Sequence, residues 1–272
     1  MQSSLLTQAL LPLVLALIMF GMGLTLKTAD FRRLFQYPKI IVAGIFGQIV
    51  VLPLIALFVA LVLELSPPLA IGLMIVAACP GGTTSNVFSH LAKANLALSV
   101  ILTAISTLIC VFSAPFIIQW SLQYFEQQQM IEFSLLNTAI TLFLLTLSPV
   151  VLGIVVRHKF PLWADKQATF FRRLSLAFLV IMIIAIVIKE REALLNSLGV
   201  IFWATIFLNV FGIIIGMLLA KVLKAPLENV LTLGIEVGIQ NASMAMLIAV
   251  SLLGSPELAI TAGIYGLTMY LG

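Results

Sequence analysis

Apolar runs of about 20 residues, the length a helix needs to cross a hydrocarbon core of about 30 Å, recur from one end of this 272-residue chain to the other. Polar breaks divide them into nine, at 5–26, 39–63, 69–91, 96–122, 133–156, 170–188, 194–222, 227–253 and 257–272. The last is short and stops while still apolar, as if the chain ended inside its final helix. Hydrophobic residues make up 62% of the sequence and charged residues 9%, against about 45–50% and about 25% in soluble domains. Neither a soluble fold nor a soluble domain on one anchor fits that balance. The expected class is an all-α integral membrane protein with nine transmembrane helices.

The formal net charge of +4 does not mark a nucleic-acid surface, because the basic residues fall in short loops between apolar runs. They read instead as orientation signals. With the N-terminus outside, Lys27, Arg32, Arg33, Lys39, Lys93, Arg157, Lys159, Lys166, Arg172, Arg173, Lys221 and Lys224 lie on the inner side, and only Lys189 and Arg191 lie outside. That split, 12 of 14 against 2 of 14, puts the C-terminus in the cytoplasm of a bacterial inner membrane. The first run has no basic residue before it, so it is expected to stay in the membrane rather than be removed as a signal peptide. Cys79 and Cys110 lie inside apolar segments and read as buried packing residues.

Spans three and eight share an irregularity. The third reads IGLMIVAACPGGTTSNVFSHLAK and the eighth LTLGIEVGIQNASMAMLIAV, each apolar, then Gly-rich and polar, then helical again. They are five spans apart, so the chain crosses the membrane in opposite senses at the two breaks. That is the mark of an inverted-topology repeat in which spans one to four pair with six to nine and the fifth connects them. A repeat of five helices would predict a tenth span ahead of Met1.

An unwound backbone at mid-membrane is tolerated only where protein or a water-filled cavity satisfies its N–H and C=O groups. Pro80 removes a donor, Gly81 and Gly82 permit unusual dihedrals, and Thr83, Thr84, Ser85 and Asn86 offer oxygens and a cap for the next half-helix. Half-helices starting near Ser85 and Asn241 would aim their N-termini at the membrane centre and favour an anion there. Glu236 is the one acidic residue away from any predicted loop or span end, where a charge costs several kcal/mol. It is either a buried protonated acid or, with Gln240, Asn241 and the freed carbonyls of Glu236, Val237 and Ile239, part of a hard-cation site. Ser99, Thr103 and Ser106 share a face of span four and serve either packing or ligation. Gln48 in span two is open to the same two readings.

His90 and His158 sit beside inner loops and read as surface residues. Gly212 and Gly216 read as helix packing in span seven. No nucleophile elbow, HExxH or phosphate loop occurs in the membrane segments, so nothing points to an enzyme.

Three stretches, FGMGLTLKTADF from Phe20, ACPGGTTSNVFSHLAKANLALSV from Ala78 and EVGIQNAS from Glu236, resemble the bile acid:sodium symporter family, in order and over nearly the whole chain. The resemblance implies a core domain built on two broken, crossing helices (39–122 and 194–272) and a panel domain (1–38 and 123–193) that moves against it. It implies two sodium sites, one of Ser85, Asn86, Ser99, Thr103 and Glu236, the other of Gln48, Glu236, Val237, Ile239 and Gln240, with Val237 and Ile239 acting through carbonyls. Bacterial members commonly have ten spans, and this sequence begins at what corresponds to the family's second.

Where many members carry a His-Asn pair associated with binding bile salts in the last span, this chain has Thr268 and Met269, so the resemblance implies an organic carboxylate, bile-salt-like or small, without singling out a bile salt. A small organic anion such as pantoate or a 2-oxo acid fits, its carboxylate held by Thr83, Thr84, Asn241 and Ser243. Sodium-coupled import by alternating access follows, with sodium, an organic anion and membrane lipid as partners and no cofactor beyond the coupling ions. Two sodium ions and a monovalent anion would make the cycle sensitive to membrane potential. Proton coupling through Glu236 is a second reading, and a membrane sensor that binds the anion without moving it is a third.

Overall fold

The computed structural model describes residues 10–27, 37–125 and 133–272. Helices follow in order as α1 (Leu11–Gly23), α2 (Pro38–Val62), α3 (Pro67–Ala78), α4 (Thr83–Leu91), α5 (Leu96–Tyr124) and α6 (Leu135–Lys159). The series ends with α7 (Pro161–Lys189), α8 (Arg191–Val222), α9 (Leu227–Gly238), α10 (Ala242–Leu252) and α11 (Ala259–Thr268). Among the described residues no strand forms beyond an isolated bridge between Gly81 and Gln240. Five helices, α2, α5, α6, α7 and α8, are each long and apolar enough to cross a membrane, and α1, α3 and α10 are shorter apolar helices. The chain is a multi-pass membrane protein.

Element ends follow local chemistry. Pro38, Pro67 and Pro161 open α2, α3 and α7, where a missing N–H costs nothing. The side chain of Asn95 accepts from the Leu98 amide at 3.1 Å and caps α5, and Asn241 does the same for Met244 at 3.0 Å in α10. A π turn closes α10 at Ile248–Leu252, and two more lie inside longer helices, at Gly47–Val51 in α2 and Phe143–Leu147 in α6. Each of the latter two lies just ahead of a proline, Pro53 and Pro149, which has no N–H for the carbonyl four residues back. The wider turn absorbs that defect without ending the helix.

Two expectations need correcting. The sixth span was read from 170, but α7 begins at Pro161; Lys166, Arg172 and Arg173 are therefore helical rather than loop residues. Polar residues interrupt the apolar run there but do not interrupt the helix. Nor do the hydroxyls after Pro80 cap α4. Its N-cap is Gly82, without a side-chain cap, and Ser85 Oγ donates to the Gly82 carbonyl at 2.8 Å. The first span's residues 5–9, with Arg32 and Arg33, lie outside the described residues.

Small residues bring helices together. Gly23 of α1 meets the Val150 carbonyl and Gly153 of α6, while Phe171 of α7 sits on Gly21. Elsewhere Gly44 of α2 meets Leu102 of α5, Gly72 of α3 meets Thr261 of α11, and Gly212 and Gly216 of α8 lie on the backbone of α9 at Val237 and Leu233. The packing role read for Gly212 and Gly216 is thus borne out. Outward faces carry large apolar side chains such as Phe58, Phe116, Ile181 and Leu195, a surface suited to hydrocarbon.

A Cβ at Gly216 would lie 2.7 Å from the Leu233 carbonyl carbon and 3.0 Å from Gly234 Cα, whereas one at Gly199 of the same helix meets nothing within 4 Å. Gly216→Leu is expected to destabilise the protein by about 1–3 kcal/mol, the usual cost of overpacking, and Gly199→Leu to leave it unchanged. Thermal unfolding in detergent checks both, and equal melting of the two variants would count against the tight α8–α9 contact.

Candidate functional site

Helices α3 and α9 both stop inside the protein. Cys79 and Gly82 are extended after the first, and Ile239 is extended after the second. The two open stretches satisfy one another, since Gly81 and Gln240 pair in antiparallel sense and the Asn241 amide donates to the Pro80 carbonyl at 2.9 Å. Pro80 has no N–H, so that strand accepts where its partner donates. Groups freed by the breaks find further partners on neighbouring helices. Cys110 Sγ of α5 reaches the Ala78 carbonyl at 3.3 Å, consistent with a buried packing cysteine. The Gly238 carbonyl accepts from Asn209 Nδ2 at 2.7 Å and from the Tyr265 hydroxyl at 2.5 Å.

Glu236 lies in α9 within one turn of its break and is fully buried. Ser99 Oγ lies 2.5 Å from Glu236 Oε1 and 2.8 Å from Asn86 Oδ1, while Thr103 Oγ1 donates to Glu236 Oε2 at 2.8 Å. Arg157 pairs with Asp165 at 2.8 Å, and among the described residues no Lys, Arg or His pairs with Glu236. A Cβ at Gly81 would lie 2.8 Å from Glu236 Oε2, 3.2 Å from Ser85 Oγ and 3.4 Å from Gln48 Nε2. Any side chain at 81 would therefore have to displace the Glu236 carboxylate, and the first break, Gln48, Ser85 and the carboxylate all converge there.

On the other side of the carboxylate, Gln48 Nε2 donates to the Glu236 carbonyl at 2.8 Å, and Gln240 Nε2 donates to the Glu236 and Val237 carbonyls at 3.2 and 2.8 Å. Gln48 sits on the π turn of α2, which sets its position on the helix face. Gln48 Oε1 and Gln240 Oε1 are buried without a partner. Buried acceptors without donors are uncommon, and each costs about 1–3 kcal/mol. The local donor set is oxygen throughout: hydroxyls, amide oxygens, carbonyls and one carboxylate. Such a set suits a hard cation.

All nine residues expected to hold sodium thus meet around the two breaks. Ser106 does not join them, because its hydroxyl donates back to the Thr103 carbonyl at 3.1 Å. Sequence reading missed Asn209 and Tyr265. Each is a polar side chain in an apolar run, and asking which such groups could satisfy the carbonyls freed at the breaks would have found them.

Thr83, Thr84, Asn241 and Ser243 line one cavity of about 400 Å³, bounded by α4 and α10 on one wall and by α1 and α7 on the other. A second cavity of about 510 Å³ adjoins it, shares Thr83, Val87 and Arg172, and extends to Asn86 and His90. His90 and His158 are exposed, as expected. Met269 lines the first cavity, whereas Thr268 turns back to the Ile264 carbonyl at 3.1 Å.

Residues 12–197 match the Sodium Bile acid symporter family. The chain belongs to that family. Members of the Sodium Bile acid symporter family are transporters, not enzymes, in agreement with the lack of catalytic motifs. The chain is 35% identical over 251 residues to the Uncharacterized sodium-dependent transporter YocS of Bacillus subtilis (strain 168), covering 92% of this chain and 76% of that one. It is 28% identical over 258 residues to the Probable sodium/metabolite cotransporter BASS2, chloroplastic, of Oryza sativa subsp. japonica, covering 95% and 60%. To the Ileal sodium/bile acid cotransporter of Homo sapiens it is 29% identical over 257 residues, covering 93% and 72%. The chain therefore spans less than two thirds of the plant relative and about three quarters of the Bacillus one.

Proposed function

We propose that this chain is a sodium-coupled symporter that imports an organic carboxylate across a bacterial inner membrane by alternating access. The observation that carries the reading is Glu236, a fully buried carboxylate with hydroxyls on both oxygens and no basic partner among the described residues. An uncompensated buried carboxylate is costly, and cations seated beside it would remove that cost. One sodium ion would take Ser85, Asn86, Ser99, Thr103 and Glu236. The other would take Gln48, Glu236, Gln240 and the carbonyls of Val237 and Ile239, where turning either glutamine amide offers an oxygen in place of its nitrogen. The names of the relatives, which refer to sodium-dependent transport of bile acids or metabolites, support the same class of activity.

Counting α3 with α4 and α9 with α10 as single broken spans gives nine among the described residues, and our reading has the N-terminus outside and the C-terminus cytoplasmic. The antiparallel pairing at the breaks is what an inverted repeat requires. Core (39–122 and 194–272) and panel (1–38 and 123–193) domains are supported by the glycine contacts, which join α1, α6 and α7 to one another and α8 to α9. The substrate's carboxylate would sit at the starts of α4 and α10, where the first amides of a helix lack partners within it, against Thr83, Thr84, Asn241 and Ser243. Sodium binding would order the crossing and so complete that seat, which couples the two ligands.

Uptake of labelled pantoate, 2-oxo acids and a bile salt into proteoliposomes, in sodium and then in choline, tests the reading. Uptake of at least one in sodium and none in choline is expected; equal uptake in choline, with a response to pH, would point to protons instead. The pair Ser99→Ala and Thr103→Ala is expected to raise the half-saturating sodium concentration about tenfold or more, since each hydroxyl serves a charged site. An unchanged sodium titration would return both hydroxyls to packing.

A further inference from the structure

Two arginines line the cavity onto which the half-helices open, and the sodium sites do not use them. Arg172 and Arg173 of α7 both line the cavity of about 400 Å³, and Arg172 also lines the adjoining one. Phe171 fixes the rotation of α7, because it sits on Gly21 of α1 and its ring meets Phe20 edge-on at 5.5 Å. Thr169, Arg172, Arg173 and Leu176 then fall at helical steps of three, four and seven on the face that bounds the cavity. Among the described residues neither arginine has an acidic partner, and no Asp or Glu lines either cavity. Lys39, another basic residue of a span, lines a separate groove between α2 and α8 that reaches neither half-helix start. The two arginines line the central cavity instead.

We infer that the transported anion carries a second acidic group, held by Arg172 and Arg173 while its first carboxylate sits at the starts of α4 and α10. The substrate class is a dicarboxylate. This rests on the reading under Proposed function, and charge balance supports it. Two sodium ions are already neutralised by Glu236 and a single carboxylate, which leaves two guanidinium charges in the closed cavity, and a second carboxylate would offset one of them. Between the two polar ends the walls are apolar, with Met19, Met22, Val87, Leu179 and Met269, as suits a hydrocarbon spacer. A guanidinium binds a carboxylate through two parallel hydrogen bonds. The bound dianion bridges α7 on one side of the cavity and α4 and α10 on the other, so it draws together the two bodies that must rock.

The test is binding to the full chain in detergent at saturating sodium, read as thermal stabilisation. Succinate is compared with butanoate, adipate with hexanoate and suberate with octanoate. In the best-fitting pair the dicarboxylate is expected to bind about tenfold tighter than the monocarboxylate. That advantage should fall below about twofold in R172Q/R173Q, and in part in each single variant, while stabilisation by sodium alone persists. Equal affinity within every pair, an advantage that survives in the double variant, or no binding of any of these acids would each overturn the inference. The wild-type comparison needs no variant to fold. Loss of the sodium response in the wild-type protein would instead overturn the symport reading beneath it.

Discussion

Glu236→Gln is expected to abolish sodium-driven uptake in proteoliposomes. The glutamine keeps the shape and one oxygen, so Ser99 and Thr103 retain a neighbour, but the charge that draws two cations into a buried site is gone. Removing one partner of a buried charge pair costs about 3–5 kcal/mol, or about two to three powers of ten in sodium affinity. The substitution has an opposite effect on the sodium-free protein. In choline the wild-type chain holds a buried carboxylate without a counter-charge, and Gln relieves that. The variant should therefore melt at or above the wild-type temperature in choline and below it in sodium. A variant that takes up substrate in sodium like wild type would remove Glu236 from the coupling site.

Gly81→Val is expected to have the second-largest effect, for a reason of space. Its first added carbon would lie 2.8 Å from Glu236 Oε2 and 3.2 Å from Ser85 Oγ, so the side chain must push apart the carboxylate, the hydroxyl and the pairing with Gln240. Overpacking together with broken buried hydrogen bonds amounts to about 3 kcal/mol or more, with loss of sodium binding. Gly82→Ala is the contrast. The nearest atom to a Cβ there is Asn241 Cβ at 3.5 Å, an ordinary contact, and the backbone is extended. Its stability should stay within about 1 kcal/mol of wild type. Equal melting of the two variants would show that position 81 is not crowded.

Much of the site was legible in the sequence because a membrane penalises polar groups. Pro80, Gly81, Gly82 and the stretch from Glu236 to Asn241 stood out against apolar runs, and the hydroxyls of Ser99 and Thr103 shared a helical face with the correct spacing. The same argument left Ser106 open between packing and ligation, and only the structure shows its hydroxyl bonding its own backbone one turn back. Asn209 and Tyr265 were hidden because they serve a backbone carbonyl, that of Gly238, and nothing in their own segments names a partner 29 or 27 residues away. The start of α7 was misread because Lys166, Arg172 and Arg173 lower the hydropathy without lowering helix propensity. That misreading also hid the arginines' place in the cavity. The crowding at Gly81 depends on atoms from three other segments, Gln48, Ser85 and Glu236, so only the assembled fold reveals it.

The central claim is that sodium binds at the crossing of the two broken helices. Thermal unfolding of the purified full chain, titrated with sodium chloride against choline chloride at constant ionic strength, tests it most directly, because a ligand stabilises the state it binds. The account predicts a saturable rise in melting temperature with sodium in the wild-type protein and none in Glu236→Gln. Identical melting in sodium and choline, or the same sodium response in both proteins, would contradict it.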